Sequence, residues 1–241
     1  MNLPPLDFIR PKMVPYIKET LEIKQFSTAG YWLSENKEIW MTWEKTTNEQ
    51  IYQLFSHYDL ANGHCVCTGL GFALREAWLL TKPEVTKITV IEKNKNLIEY
   101  HKQHNAELMN KLEVIECDAY DYKGVCDTLL IDHHENLCEY DFCVSAKRVM
   151  DNIQCNIMWF YPLEEILCKY YKTHTGVTLV KIYEIIKNYF ELTKMPKLTE
   201  DQLNKYLQVF FVNNVEKQMF IKTNGSEIDK IIDNKKLGLT L

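Results

Sequence analysis

The stretch Cys65-Val66-Cys67-Thr68-Gly69-Leu70-Gly71-Phe72-Ala73-Leu74-Arg75-Glu76 decides the fold, because an apolar, strand-like run passes through two glycines into a helix-like one. A chain that leaves a strand and enters a helix must reverse tightly. Glycine permits the backbone angles and the close ligand approach that a Cβ obstructs. Glycine is scarce here, 8 of 241 residues, so two within three positions mark a built turn. Bare backbone in that place suits a nucleotide cofactor.

Working outward, short apolar runs alternate with helical patterns. An apolar run ends at Thr68, a helix is predicted over 72–80, a strand over Ile88–Ile91 and a helix over 94–109. Leu112–Ile115 and Thr128–Ile131 read as further strands, 138–150 as a helix and Ile153–Tyr161 as a last strand. This alternation predicts right-handed βαβ crossovers and a doubly wound, mostly parallel α/β sheet. Upstream, aromatic runs at Gly30–Leu33 and Ile39–Trp43 flank polar Ser34-Glu35-Asn36-Lys37 and predict a small N-terminal β-hairpin. Thr47 and Gln50 fit a capping box opening a helix with Ile51, Leu54 and Phe55 on one face.

After Pro162 the period turns helical, with Leu179, Ile182, Tyr183, Ile186, Tyr189 and Phe190 on one stripe. A second capping box, Thr199 to Gln202, precedes Leu203, Leu207, Phe210 and Phe211, and Asn224-Gly225 marks a hairpin turn. The chain therefore divides into an N-terminal attachment (1–61), a core (62–162) and a mainly helical C-terminal extension (163–241). The extension's stripes suit packing or a subunit interface, such as that of a homodimer.

Composition excludes several classes. With 46% hydrophobic and 25% charged residues the chain has the make-up of a folded domain, and its net charge of −5 argues against broad polyanion binding. The tail from 164 onward is mildly basic. The eight cysteines include no CxxC pair, so they read as reduced thiols. The N-terminus lacks a basic region followed by an apolar run, and no segment reaches the roughly 18 apolar residues of a membrane span. The expected location is the cytoplasm.

In a parallel sheet, ligands bind beyond the carboxyl ends of the strands. The polar residues of interest close those strands. Glu92 follows the second strand, 21 residues beyond Gly71, the offset at which an acid meets ribose hydroxyls. Asp118 follows the third and can accept from an exocyclic adenine amine. Asp132 ends the fourth, in Leu130-Ile131-Asp132-His133-His134-Glu135, nearest to any substrate that faces the cofactor's reactive atom.

At these residues the chain resembles class I S-adenosylmethionine-dependent methyltransferases, and within them the spermidine-synthase-like branch. Thr68–Glu76 is similar to that branch's glycine turn ending in Leu-Arg-Glu, Glu92 to its ribose acid, Cys117-Asp118-Ala119 to its Gly-Asp-Ala signature, and Asp132 with Glu135 to its acidic catalytic loop. Residues 31–43 and Asn48-Glu49-Gln50-Ile51-Tyr52 look similar to its N-terminal hairpin and following helix. The resemblance spans about residues 28–160. It implies a Rossmann-like core, S-adenosylmethionine as cofactor held by Thr68, Gly69, Gly71, Glu92, Asp118, Ala119 and Asp132, and catalysis by Asp132 and Glu135; His133, next to Asp132, is the candidate to assist it in moving a proton. Where the branch's aminopropyltransferases carry an acid inside the turn, this chain has Leu70. Where they continue Asp-x-x-Asp-Pro, it has Asp132-His133-His134-Glu135-Asn136, which points away from polyamine synthesis.

Plainer roles exist for the same residues. Glu92 suits the N-terminus of a helix, Asp118 a turn cap with Tyr120, and Asp132 a turn or N-cap. His133 and His134 sit too close together in one loop for a metal site, so no metal is expected. His57, His64, His101, His104 and His174 read as structural or exposed. Tyr31, Trp40, Trp43 and Tyr52 suit either core or pocket wall. Three functions are compatible with these residues: methyl transfer to an amine or hydroxyl, aminopropyl transfer to a polyamine, or a non-catalytic nucleotide module for protein association. A small-molecule acceptor is favoured over nucleic acid, since no Asn/Asp-Pro-Pro-Tyr loop follows the fourth strand.

Overall fold

A computed structural model describes residues 11–27, 30–44, 56–133, 138–212 and 226–236. It begins with an antiparallel sheet of β1 (Tyr16–Lys18), β2 (Leu21–Gln25), β3 (Gly30–Glu35) and β4 (Glu38–Glu44), paired in that order. The turn from β3 to β4 is only Asn36-Lys37, both with positive φ (52° and 69°), a conformation that matches the twist of the flanking strands. The predicted hairpin is thus the second half of a larger sheet. The helix expected after Thr47, with Tyr52, lies outside the described residues.

A 3₁₀ turn over Ser56–Leu60 leads into the α/β core: β5 (Gly63–Thr68), α1 (Leu74–Leu79), β6 (Val85–Glu92), α2 (Lys95–His104), α3 (Ala106–Met109) and β7 (Glu113–Glu116). The core continues with β8 (Gly124–Val125), β9 (Thr128–Ile131), α4 (Glu139–Asn152), β10 (Ile153–Gln154) and β11 (Ile157–Phe160). The main sheet has the order β11-β9-β5-β6-β7, and every pair in it is parallel. Helices flank it, so the fold is Rossmann-like. Cys65, Val66 and Cys67 of the central strand are fully buried, as a strand covered on both faces requires. The cysteines act there as small hydrophobes. Because β6 lies on one side of β5 and β9 on the other, the strand order reverses at β5 and a crevice opens beyond its carboxyl end.

Two predicted elements are divided. The helix over 94–109 breaks at Asn105, whose backbone leaves the helical region (φ −131°, ψ 38°). Its side chain accepts from the Lys12 amide at 2.5 Å and donates to the Lys12 carbonyl at 3.2 Å, bonds that compete with helix continuation. The strand over 153–161 splits because Asn156 and Ile157 both donate to the Asp127 carbonyl; Ile153–Gln154 then pairs with β8 and Ile157–Phe160 with β9.

The C-terminal part is helical: α5 (Leu163–Thr173), α6 (Leu179–Tyr189), α7 (Glu200–Val212) and α8 (Ser226–Lys236). The Thr199–Gln202 capping box forms reciprocally, with the Thr199 amide donating to Gln202 Oε1 (2.9 Å) and the Gln202 amide to Thr199 Oγ1 (3.3 Å). Asn224-Gly225 lies outside the described residues, and residues 226–236 form a helix, not the second strand of a hairpin. Ile228, Ile231 and Ile232 are buried at helical spacing, and that apolar stripe favours α8. None of the described helices is long and apolar enough to cross a membrane.

These helices share the core of the sheet. Trp159 of β11 stacks on Tyr183 of α6 (centroids 6.4 Å apart), meets Tyr206 of α7 edge-on, and donates from Nε1 to buried Glu164 of α5 (2.9 Å). The Met158 amide donates to the Lys194 carbonyl at the sheet's edge. One continuous cluster of buried side chains runs from Leu21 to Ile232. Thermal unfolding followed by far-ultraviolet ellipticity and by tryptophan emission is therefore expected to give one coincident transition. Two separated transitions would show that residues 163–236 fold independently.

Candidate functional site

Three residues of the glycine turn are left-handed: Gly69 (φ 77°), Gly71 (φ 48°) and Ala73 (φ 57°). Gly69 is there for space as well as for angle. A Cβ on it would lie 2.0 Å from the Asp132 carbonyl oxygen, so the ends of β5 and β9 touch backbone to backbone. At Gly71 a Cβ would come within 3.0 Å of Met41 Cε, the tip of a flexible side chain from the antiparallel sheet above.

Arg75 stitches these strand ends together from below. Its guanidinium is only 6% exposed and donates to the carbonyls of Gly69 (2.5 Å) and Thr68 (3.3 Å) and to the buried carboxylate of Glu76 (2.6 Å). Its Nη1 lies 3.9 Å from Asp132 Oδ2. A buried cation needs such partners, and here they include both strand ends. Thr68, fully buried, adds a third tie: its hydroxyl accepts the Asp132 amide (3.1 Å) and sits 2.7 Å from His133 Nδ1.

Glu92 is 7% exposed at the end of β6. Its Oε2 accepts the Leu70 amide inside the glycine turn (2.8 Å) and its Oε1 accepts the Asn94 amide at the start of α2 (2.7 Å). Burial raises its pKa above the ordinary carboxylate value, and these two amides act in the opposite direction. Asp118 Oδ1 accepts the Tyr120 amide (2.8 Å), the turn-capping role that its sequence position also suits. Tyr120 is itself fixed: its hydroxyl is 2.6 Å from Ser145 Oγ, and the Arg148 guanidinium lies 4.1 Å from its ring centroid.

One cavity of about 320 Å³ gathers Gly69, Gly71, Glu92, Asp118, Ala119, Asp132 and His133. Of the sequence-predicted residues, Thr68 stands beneath the wall and Glu135 lies outside the described residues. The antiparallel sheet supplies a further wall of Leu33, Trp40 and Met41, and Lys93 and Tyr120 also line the space. Sequence reasoning did not place Leu33, Met41 or Lys93 there. Trp40 was open between core and pocket, and it lines the cavity.

The imidazoles serve the site as neutral groups. His101 Nε2 donates to the Gly71 carbonyl (2.8 Å) while Nδ1 receives the Asn105 amide hydrogen (3.2 Å), an arrangement that fixes one neutral tautomer. Burial pushes its pKa down to about 4, and burial likewise pushes His133 to about 4. At neutral pH His133 is therefore a hydrogen-bonding group and not a carrier of charge.

No family model matches the sequence, and no curated protein does. Solved structures show likeness at low identity. Spermidine synthase from Thermotoga maritima matches 58% of this chain and 51% of its own at 17% identity and a TM-score of 0.37. Protein arginine methyltransferase 10 of Arabidopsis thaliana matches 58% and 49% at 15% and 0.34. The mitomycin 7-O-methyltransferase MmcR matches 47% and 38% at 15% and 0.33. The chain thus spans about half, or less, of each of these proteins. The chemistry of the site rests on its own residues.

Gly69→Ala should destabilise the protein by about 3 kcal/mol or more, from left-handed strain plus a backbone collision. Gly71→Ala should cost only about 1–2 kcal/mol, because the Met41 tip can move. Denaturant melts of both variants test that order. Acid supplies a second test. The unfolded chain protonates His101 near the ordinary 6.5 and the folded one near 4, so its contribution is complete above 6.5 and lost as pH falls toward 4. The loss is on the order of 3 kcal/mol. His101→Gln should flatten the stability curve over that window, and an unchanged slope would contradict the assignment.

Proposed function

We propose that the cavity binds the adenosyl group of S-adenosylmethionine, and that the chain transfers the cofactor's methyl group to an amine or hydroxyl of a small acceptor. The observation that carries this reading is the convergence of a glycine turn and three carboxylates, Glu92, Asp118 and Asp132, on one cavity at the sheet's switch point. About 320 Å³ falls within the range of small-molecule sites.

The residues fit an adenosyl group chemically. The Glu92 carboxylate accepts backbone amides at both oxygens and keeps acceptor capacity on its cavity side for a ribose hydroxyl. Asp118 has Oδ2 beyond its turn bond for an adenine amine. The backbone of Gly69 and Gly71 leaves room for the remainder of the ligand. A methyl on sulfonium sulfur is already activated when bound, so the protein's work is to align the acceptor and exclude water. Asp132, anchored on its inner side by Arg75, would orient the acceptor and take its proton. His133 would hold position as a neutral partner.

Aminopropyl transfer is the second reading, because the same three carboxylates, in one cavity with Trp40, also suit a cationic amine. Product analysis separates the two: adenosylhomocysteine accumulates in methyl transfer and methylthioadenosine in aminopropyl transfer.

Glu92→Gln places an NH2 group against an amide donor and removes a charged ribose acceptor. Adenosylhomocysteine binding measured by calorimetry should weaken about ten- to a hundredfold, the equivalent of about 1.5–3 kcal/mol. Equal affinity in the variant would remove Glu92 from the ligand, and absence of binding to the unaltered protein would refute the reading.

A further inference from the structure

The register between β3 and β4 contains one irregularity. Leu33 faces Met41 across the pair, whereas the next residue, Ser34, faces Ile39, so Trp40 is the extra residue of a β-bulge. In a regular strand Trp40 and Met41 would point to opposite faces. The bulge cancels that alternation, and both side chains line the cavity. Ile39, the neighbour before the bulge, is 48% exposed on the outside. Bulges recur beside active sites because they re-aim a side chain at the cost of one ladder bond.

The sheet that carries Trp40 is fastened to the core independently of any ligand. The Val14 amide donates to Tyr100 Oη (2.9 Å), Tyr16 meets the Tyr100 ring at 5.2 Å, and Asn94 Nδ2 donates to Glu35 Oε1 (2.8 Å). Asn94 also caps α2 two residues after Glu92, so the strand end that carries the ribose acid and the sheet that carries the bulge share an anchor. Trp40 remains half-buried, its ring packed against the core on one side and open to the cavity on the other. Trp32 shows the contrast. Equally half-buried, it does not line the cavity but stacks on Phe26 at 5.8 Å with Lys24 over its ring.

We infer that Trp40 is a ligand-contacting, specificity-determining residue: the bulge turns its indole onto the adenosyl ligand, which it holds by aromatic and dispersion contact against the carboxylate-bearing strand ends. This rests on the adenosyl reading of the cavity. Glu92 and Asp118 select by hydrogen bonds, and an indole opposite them favours a flat, polarisable nucleoside over an aliphatic ligand of equal polarity.

Calorimetry with adenosylhomocysteine on the full chain, its Trp40→Leu, Trp40→Phe and Trp32→Leu variants, tests the inference, with thermal melts recorded alongside. The expected result is roughly tenfold weaker binding in Trp40→Leu, most of it restored in Trp40→Phe, and no change in Trp32→Leu. Tryptophan emission should change on saturation and lose that change in Trp40→Phe. Equal affinity in Trp40→Leu and the unaltered chain would overturn the inference and leave the adenosyl reading standing. Equal weakening in Trp40→Leu and Trp32→Leu would also overturn it, since the sheet would then act only as a support. Failure of the unaltered chain to bind would overturn both.

Discussion

The backbone contact between Gly69 and Asp132 is the constraint on which the rest of the site depends. Adjacent parallel strands bring their ends together, but a turn leaving β5 passes the end of β9 only if it carries no side chain at that point. With 2.0 Å between a hypothetical Cβ and the Asp132 carbonyl oxygen, residue 69 has one solution. Arg75 then converts proximity into rigidity. A buried guanidinium that bonds two carbonyls of the turn, with the Asp132 carboxylate 3.9 Å away, couples the end of one strand to the acidic residue of the next. Its pairing with Glu76 offsets the burial of its charge.

The third strand end joins through Glu92. Its carboxylate bridges the glycine turn and the N-cap residue of the next helix, so one group sets the relative position of β5, β6 and α2. His101 supports the same turn from α2 by holding the Gly71 carbonyl. Both groups are buried, and in each burial opposes the charged form: the carboxyl is pushed up and the imidazole down. The result is a turn whose amides and carbonyls are held by side chains, with its open side toward the cavity. Preorganisation of that kind lets a ligand bind without first ordering the loop.

Much of this was legible in the sequence because parallel strands announce their ends. Apolar runs stop where the sheet stops, and the residues just beyond them (Gly69, Glu92, Asp118, Asp132) are placed by topology alone. The antiparallel sheet was half-legible. Gly30–Glu44 carried aromatic pairs about a polar turn, whereas β1 has three residues and β2 five, too few for alternation to register. The bulge at Trp40 left no signal, since an extra residue in one strand appears only when its partner is known. Arg75 was visible as part of a motif, but its contacts with residues 68, 69 and 132 are tertiary. The break at Asn105 depended on Lys12, 93 residues away. The turn at Asn224-Gly225 was read from a local dipeptide, while Ile228, Ile231 and Ile232 pull the adjoining segment into a helix packed on the core.

The decisive measurement is a crystal structure of the protein grown with adenosylhomocysteine. One adenosine is expected across the carboxyl ends of β5, β6 and β7, its ribose hydroxyls on Glu92 and its base beside Asp118. An adenosine bound elsewhere, or one in the cavity with its ribose turned away from Glu92, would contradict it.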